Sequence, residues 1–355
     1  MRAITYTAAG GPDVVVLADR LPEPVPGPGQ VRVSVRAAGL NRADVIQRKG
    51  GYPAPAGWPA DIPGLEYAGE VDAVGEQPRR WKPGDRIMGL VGGGAHAEKV
   101  VVYEDEALPI PSHLSWADAA AIPEAFLTAW DALVIRGQLI AGETVLIHAV
   151  GSGVGTAAVQ LAKSLGATVI GSSRSAPKLE RVRELGLDFG IHTSDGGFRD
   201  KVQMPVNVVI DMLGGPAFAD NLELLAPLGR LVLLGFLQGS SVGPLSLEPI
   251  LRKRLQVVGT VMRARPREER APLVAAFMRQ VLPRFGGPRS PRRSMARPER
   301  AAQPADPEPP KPAEPDEGLA PLYPIVHQVF PFTEIARAHA AMEQNEPVGK
   351  IVLSW

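Results

Sequence analysis

Residues 146–163 read LIHAVGSGVGTAAVQLAK, an apolar run that breaks at Gly151, Gly153 and Gly155 and resumes as a small-residue helical pattern. Glycines at such a junction let the backbone approach a pyrophosphate, while the helix N-terminus offers oriented N–H groups. Val154, Ala158, Leu161, Ala162 and Leu165 form one apolar helical face. The spacing is not the strict G-x-G-x-x-G, because Thr156 stands where the last glycine belongs, so a plain structural turn competes with a phosphate cradle. Context favours the cradle. TVLIH (144–148), VGTAAVQLAKSLG (154–166), ATVIGSS (167–173), PKLERVRELG (177–186), VNVVIDM (206–212), AFADNLELLAPLG (217–229) and RLVLLG (230–235) alternate strand with helix, which predicts a parallel sheet covered by helices and a dinucleotide at its edge.

Upstream the rhythm differs. RAITY (2–6), VRVSVRAAG (31–39), EYAGEVDAVG (66–75), DRIMGL (85–90) and AEKVVV (97–102) read as short strands separated by Pro/Gly punctuation such as EPVPGPG and WKPGD. The chain is expected to hold a β-rich, barrel-like unit followed by an α/β unit.

With 355 residues and 45% hydrophobic composition, two cores fit the length. Its 38 basic and 38 acidic residues balance, which argues against nucleic acid or anionic lipid as a partner and leaves a small molecule. Cysteine is absent, which removes disulfides, thiolate catalysis and cysteine-bound zinc. The opening MRAITYTAAGGPDVVVLADR has no signal-like apolar core and no apolar stretch is of membrane-spanning length, so a cytoplasmic protein is expected.

The end of the second α/β strand, VIGSSRSAPK, carries no carboxylate for a ribose 2′-hydroxyl; Ser172, Ser173, Arg174 and Lys178 are instead donors and cations suited to a 2′-phosphate. NADPH is therefore expected over NADH, the alternative being that Arg174 and Lys178 are solvated charges at a helix start.

LNRADVIQRKGGYP (40–53), IPGLEYAGEVDAVG (62–75), AAAIPEAFLTAWDAL (119–133), the glycine loop, VIDMLGG (209–215) and GKIVL (349–353) together resemble the zinc-independent quinone oxidoreductases of the medium-chain dehydrogenase/reductase superfamily, above all the p53-inducible quinone oxidoreductase-like branch. The resemblance covers the chain outside residues 286–317. It implies an α/β protein with a GroES-like β-rich substrate domain, residues 1–125 completed by 319–355, and a Rossmann doubly wound NADPH-binding domain, residues 126–285. Residues 286–318, rich in Pro, Arg and Glu with few large apolar side chains, are expected to be a disordered insertion. The segment RLQVVGT (254–260) matches the family's edge strand, which pairs with its copy in a homodimer; a bare apolar edge strand would otherwise invite aggregation.

Zinc-dependent relatives carry Gly-His-Glu where this chain has Gly64-Leu65-Glu66, and Leu65 cannot bind a metal. The six histidines, among them His96, His148, His192 and His339, show no ligand spacing, so no metal site is expected. Without a Lewis acid the chemistry moves toward acceptors that are already electrophilic: quinones, with enones, enals or enoyl thioesters as the alternative. A non-catalytic NADPH- or RNA-binding protein is a more distant reading, disfavoured by the balanced charge.

The same resemblance implies the site. Asn41, Asp44 and Tyr52 match positions lining the substrate cleft, where Tyr52 or Asn41 can donate to a developing oxyanion; packing for Tyr52 and a helix-terminus role for Asp44 are the alternatives. Ser152 faces either the phosphate or the nicotinamide, and lacks the His/Asp partners of a nucleophile. Thr128 approaches the nicotinamide-side ribose or phosphate, and Gly235 with Phe236 flanks the ring. Asp211, Gly214 and Gly215 close a strand end at the ligand crevice, Asp211 otherwise serving as a cap. The family's adenosine-side Ile-Asn-Tyr is Ile191-His192-Thr193 here.

Overall fold

The computed structural model describes residues 1–194, 196–286 and 319–355. Apart from Gly286, the expected insertion therefore lies outside the described residues.

Alternating apolar residues in Gln30–Leu40 bury Val31, Val33 and Val35 on one face and make this the central strand of a seven-stranded sheet. The order is Val326–Pro331, Lys350–Ser354, Gln30–Leu40, Glu66–Val74, Arg86–Leu90 and Ala107–Pro109, with Lys99–Tyr103 also paired to Gln30–Leu40. The last strand of the chain lies antiparallel on this early strand, Ile351 opposite Leu40. The C-terminal segment thus completes the N-terminal sheet.

The second sheet is six-stranded and wholly parallel, in the order Phe189–His192, Thr168–Ser173, Thr144–Ile147, Val206–Asp211, Leu225–Leu233, Gln256–Gly259. Chain order reverses between Thr144–Ile147 and Val206–Asp211, and a crevice outside the carboxyl ends of those strands is the binding position in doubly wound sheets. Helix Gly153–Ser164 packs Ala158, Leu161 and Ala162 into the core, with Val154 and Leu165 at its margin. The strand Phe189–His192 escapes the sequence pattern because Phe189 is exposed and Gly190 interrupts the apolar run. Helix Gly215–Leu224 ends before residues 225–229, which the sequence pattern assigned to it. Pro227 cannot donate to a helix and Leu228 sits at φ +65°, so Leu225–Leu233 becomes strand instead.

One apolar core joins the two sheets through helix Pro123–Trp130. Phe126 meets Phe285 edge-on at 4.7 Å and Trp130 meets Phe277 at 6.1 Å between ring centroids. Arg265 and Arg270 add buried ion pairs to Asp131 and Glu106. Among the described residues no helix is long and apolar enough to cross a membrane. Removing the Phe277 ring leaves a cavity against Trp130; Phe277→Ala is expected to lower unfolding free energy by about 3–5 kcal/mol, read as a fall in the urea midpoint at unchanged slope.

Candidate active site

Strand Thr144–Ile147 ends in a tight turn with Ala149 at φ +48°, and helix Gly153–Ser164 starts at Ser152. The Ser152 hydroxyl accepts the Gly155 N–H at 3.0 Å, an N-cap, and its own hydrogen points to Met212 Sδ at 3.7 Å. Ser152 is thus engaged in starting the helix, which leaves the N–H groups of Gly153 and Val154 without intrahelical acceptors. Each loop glycine permits a close approach. A Cβ on Gly155 would lie 2.5 Å from the Val150 carbonyl, one on Gly153 2.5 Å from Lys350 Cδ, and one on Gly151 3.0 Å from Lys178 Cδ. The loop is also bound to the last strand's approach, the Gly349 N–H donating to the Gly151 carbonyl at 2.9 Å.

At the end of Thr168–Ser173, the Ser173 hydroxyl accepts the Ser175 N–H at 3.1 Å, and the Arg174 carbonyl accepts from His192 Nε2 at 3.1 Å, leaving the Arg174 side chain exposed. Ser172 does not face a ligand: it is buried, its hydroxyl 2.7 Å from His148 Nδ1, and His148 Nε2 continues the chain to Asn221 and Asp211. Burial, then the charges of Arg42 and Arg174, lower the Lys178 ammonium below its usual range. Arg42, from the N-terminal sheet's helix Arg42–Arg48, therefore joins Arg174 and Lys178 in one cationic cluster, steadied by donation to the Met342 carbonyl at 2.6 Å. Sequence reasoning missed Arg42 because nothing local ties it to the second α/β strand.

At the other end of the loop, Glu66 is fully buried. One oxygen binds Lys350 Nζ and accepts from Asn41 Nδ2 at 3.0 Å; the other accepts the Glu124 N–H at 2.8 Å. Lys350 also donates to Asn41 Oδ1 and to the Leu40 carbonyl. The Asn41 amide is thereby engaged within the protein. Asp44 is fully buried too, its oxygens accepting the N–H groups of Asn41 at 2.8 Å and Gly64 at 3.1 Å, so it shapes the loop. Asp211 is likewise a cap, accepting from the Leu213 and Gly214 N–H groups and from Asn221.

Tyr52 adopts φ +50° and remains 37% exposed. Arg263 lies over its ring at 5.1 Å, donates to its carbonyl at 2.7 Å, and also binds the Gly92 carbonyl and Gln47. Burial first, and then the Glu124 carboxylate, raise the Tyr52 phenol above its usual range against the opposing charge of Arg263. Thr128 Oγ1 is buried with no hydrogen-bond partner. Beyond the strand end, Gly214 at φ +92° makes room for Phe236, which is exposed beside the open Gly235; Gly215 starts the next helix. Glu124, Lys350 and Arg263 were not singled out in the sequence, although Glu124, a carboxylate among apolar residues in AAAIPEAF, was a signal. A separate cavity of about 750 Å³ is lined by Trp58, Tyr103, Arg263, Arg265, Arg267 and Arg270, and its arginines are all paired to carboxylates, carbonyls or amides. Among the described residues no three His, Asp or Glu side chains assemble as metal ligands.

Family models described as alcohol dehydrogenase GroES-like domain and zinc-binding dehydrogenase match residues 27–112, and 153–279 with 317–353, respectively. The chain is 31% identical over 280 residues to the quinone oxidoreductase of Mus musculus, covering 76% of this chain and 82% of that protein. It is 38% identical over 240 residues to the Homo sapiens synaptic vesicle membrane protein VAT-1 homolog, covering 66% of this chain but 61% of that protein, so it spans about three-fifths of that relative's length. Among solved structures, a mycobacterial protein complexed with NADPH superposes with TM-score 0.80 at 26% identity over 100% of both chains. A quinone oxidoreductase of Pseudomonas syringae gives 0.78 at 27% identity, covering 100% of this chain and 99% of that one. The chain belongs to the medium-chain dehydrogenase/reductase superfamily of oxidoreductases, together with these quinone oxidoreductases.

Lys350→Met strips the buried Glu66 of its counter-charge and is expected to cost about 3–5 kcal/mol of stability. Adding Glu66→Gln should restore part of that loss in a urea titration; equal stability of the single and double variants would show that the pair is not coupled.

Proposed function

We propose that the protein is an NADPH-dependent reductase that passes hydride to a quinone or a similarly electrophilic small molecule, with no zinc in the reaction. Residues 1–125 with 319–355 then form the substrate half and residues 126–285 the cofactor half. The observation that carries the reading is the cationic cluster of Arg42, Arg174 and Lys178, in which three cations outnumber the one carboxylate that acts on Lys178, Glu346, at a strand whose own end carries none; this is the chemistry that binds a ribose 2′-phosphate. A dinucleotide fits the rest of the loop. Gly151, Gly153 and Gly155 permit the close packing that holds the loop at the helix start, the Val154 N–H lies in the first helical turn where a pyrophosphate can accept it, and Thr128 Oγ1 is a buried polar atom with no partner.

In this reading Ser173, Arg174 and Lys178 hold the adenosine phosphate, residues 151–155 the pyrophosphate, and Thr128, Gly214, Gly235 and Phe236 the nicotinamide side; Ser152 and Asp211 hold the loops in shape. Bound there, NADPH supplies a hydride. Tyr52, strained onto the cleft and backed by Arg263, orients the acceptor and donates toward its oxygen. Asn41 and Asp44 act indirectly, by setting the backbone beneath it. Leu65, buried where zinc-dependent relatives place a histidine ligand, supports direct hydride transfer without Lewis-acid assistance. The strand Gln256–Gly259 is a sheet edge with Val257 and the neighbouring Leu251 exposed, which supports pairing with a second copy.

NADPH oxidation measured against ortho-quinones, para-quinones, enones and enals under one condition identifies the acceptor class. Binding of NADPH without oxidation by any of them would overturn the reading. Replacing Arg174 and Lys178 together by Ala is expected to raise KM for NADPH about ten- to hundred-fold while NADH is little affected, the loss of one or two charge-assisted hydrogen bonds. Equal effects on both cofactors would remove the 2′-phosphate assignment.

A further inference from the structure

Helix Pro123–Trp130 enters the junction of the two sheets with Glu124 in its first turn and Thr128 one turn further on. Residues four apart share a helix face, so the half-buried Glu124 carboxyl lies on the same side as the unpartnered Thr128 hydroxyl. The backbone N–H of Glu124 donates to Glu66, but among the described residues no hydrogen bond reaches its carboxyl.

Its electrostatic surroundings are Glu66 from the mixed sheet, Asp44 from the helix Arg42–Arg48, Lys350 from the C-terminal strand, and Arg263 from the segment after the edge strand; its own charge is felt by Tyr52. Both cations are already engaged. Lys350 is held by Glu66, Asn41 and the Leu40 carbonyl, and Arg263 by Gln47 and the carbonyls of Gly92 and Tyr52. An ionised Glu124 therefore has a carboxylate behind it and no cation committed to it. Burial first, and then repulsion by Glu66, lift the Glu124 carboxyl to about 8, Lys350 opposing them. The shift favours the acid form, which a proton donor requires.

We propose that Glu124 is the proton donor that completes reduction of the acceptor, a role that rests on the hydride-transfer reading above. The acceptor gains two electrons and one hydrogen as hydride, and the resulting oxyanion takes the proton from the Glu124 carboxyl. The carboxyl O–H bond breaks as the product O–H bond forms, and water returns a proton to the carboxylate. In sum NADPH, one proton and the acceptor give NADP⁺ and the dihydro product. Burial, reinforced by the Glu66 carboxylate that Lys350 and Asn41 hold in place, favours the acid form of Glu124 between turnovers.

Infrared difference spectra of the ligand-free protein over a pH series test the acid form directly. The wild type should show a protonated-carboxyl band lost near about pH 8, and Glu124→Gln should lack it. In turnover, kcat of the wild type should decline above about 8, whereas Glu124→Gln should show no such limb and a kcat lower by about 10²–10⁴-fold, with NADPH Kd by fluorescence unchanged. A band that titrates in the ordinary carboxylate range, or survives in Glu124→Gln, overturns the proposal. So does an unaltered alkaline limb in Glu124→Gln, which would leave hydride transfer standing. If no acceptor oxidises NADPH even though the titrating band is present, it is the hydride reading that fails and the donor role goes with it.

Discussion

The buried ion pair between Glu66 and Lys350 ties together parts of the chain that are remote in sequence. Glu66 opens a strand of the mixed sheet and Lys350 opens the last strand of the chain; Asn41 and the first turn of helix Pro123–Trp130 are hydrogen-bonded into the same knot. Lys350 also lies against Gly153, where any side chain would displace it. Removing two charges from water is costly, and the cost is offset here because both Glu66 oxygens and the lysine have further hydrogen-bond partners. The pair ties the glycine loop to the mixed sheet through Lys350.

A second constraint is arginine. Arg263, Arg265 and Arg270 follow the edge of the parallel sheet yet reach residues 47, 52, 92 and 106 on the mixed-sheet side as well as Asp131. Planar guanidinium groups can satisfy several carbonyls and carboxylates at once, which keeps the polar groups of this junction paired beside the apolar core that spans it. The edge-on aromatic pairs around helix Pro123–Trp130 fill the apolar remainder.

Much of this was legible in the sequence, and the reason is periodicity. The β-rich opening, the alternating second part and the glycine junction each depend on local patterns, and local patterns survive in a one-dimensional reading. Asp44, Asp211 and Ser152 were legible as polar residues in the right places, but their side chains turn onto neighbouring backbone N–H groups, a choice decided by φ and ψ that residue type alone does not reveal. Arg42, Lys350 and Arg263 were illegible for the opposite reason, since each acts across a long sequence separation. Ser172 shows the finer limit: one residue along a strand reverses the side-chain direction, so Ser172 joins the buried His148 while Ser173 stays at the strand end.

The hydrogen bond from Gly349 to Gly151 makes the glycine loop mechanically part of the C-terminal strand. Thermodynamically the two events are linked: a ligand that orders the loop also stabilises the seating of the last strand, and fraying of the chain's end weakens the ligand by the same factor. Protection of the amide hydrogens of residues 350–354 from solvent exchange thereby becomes a remote gauge of occupancy at the loop.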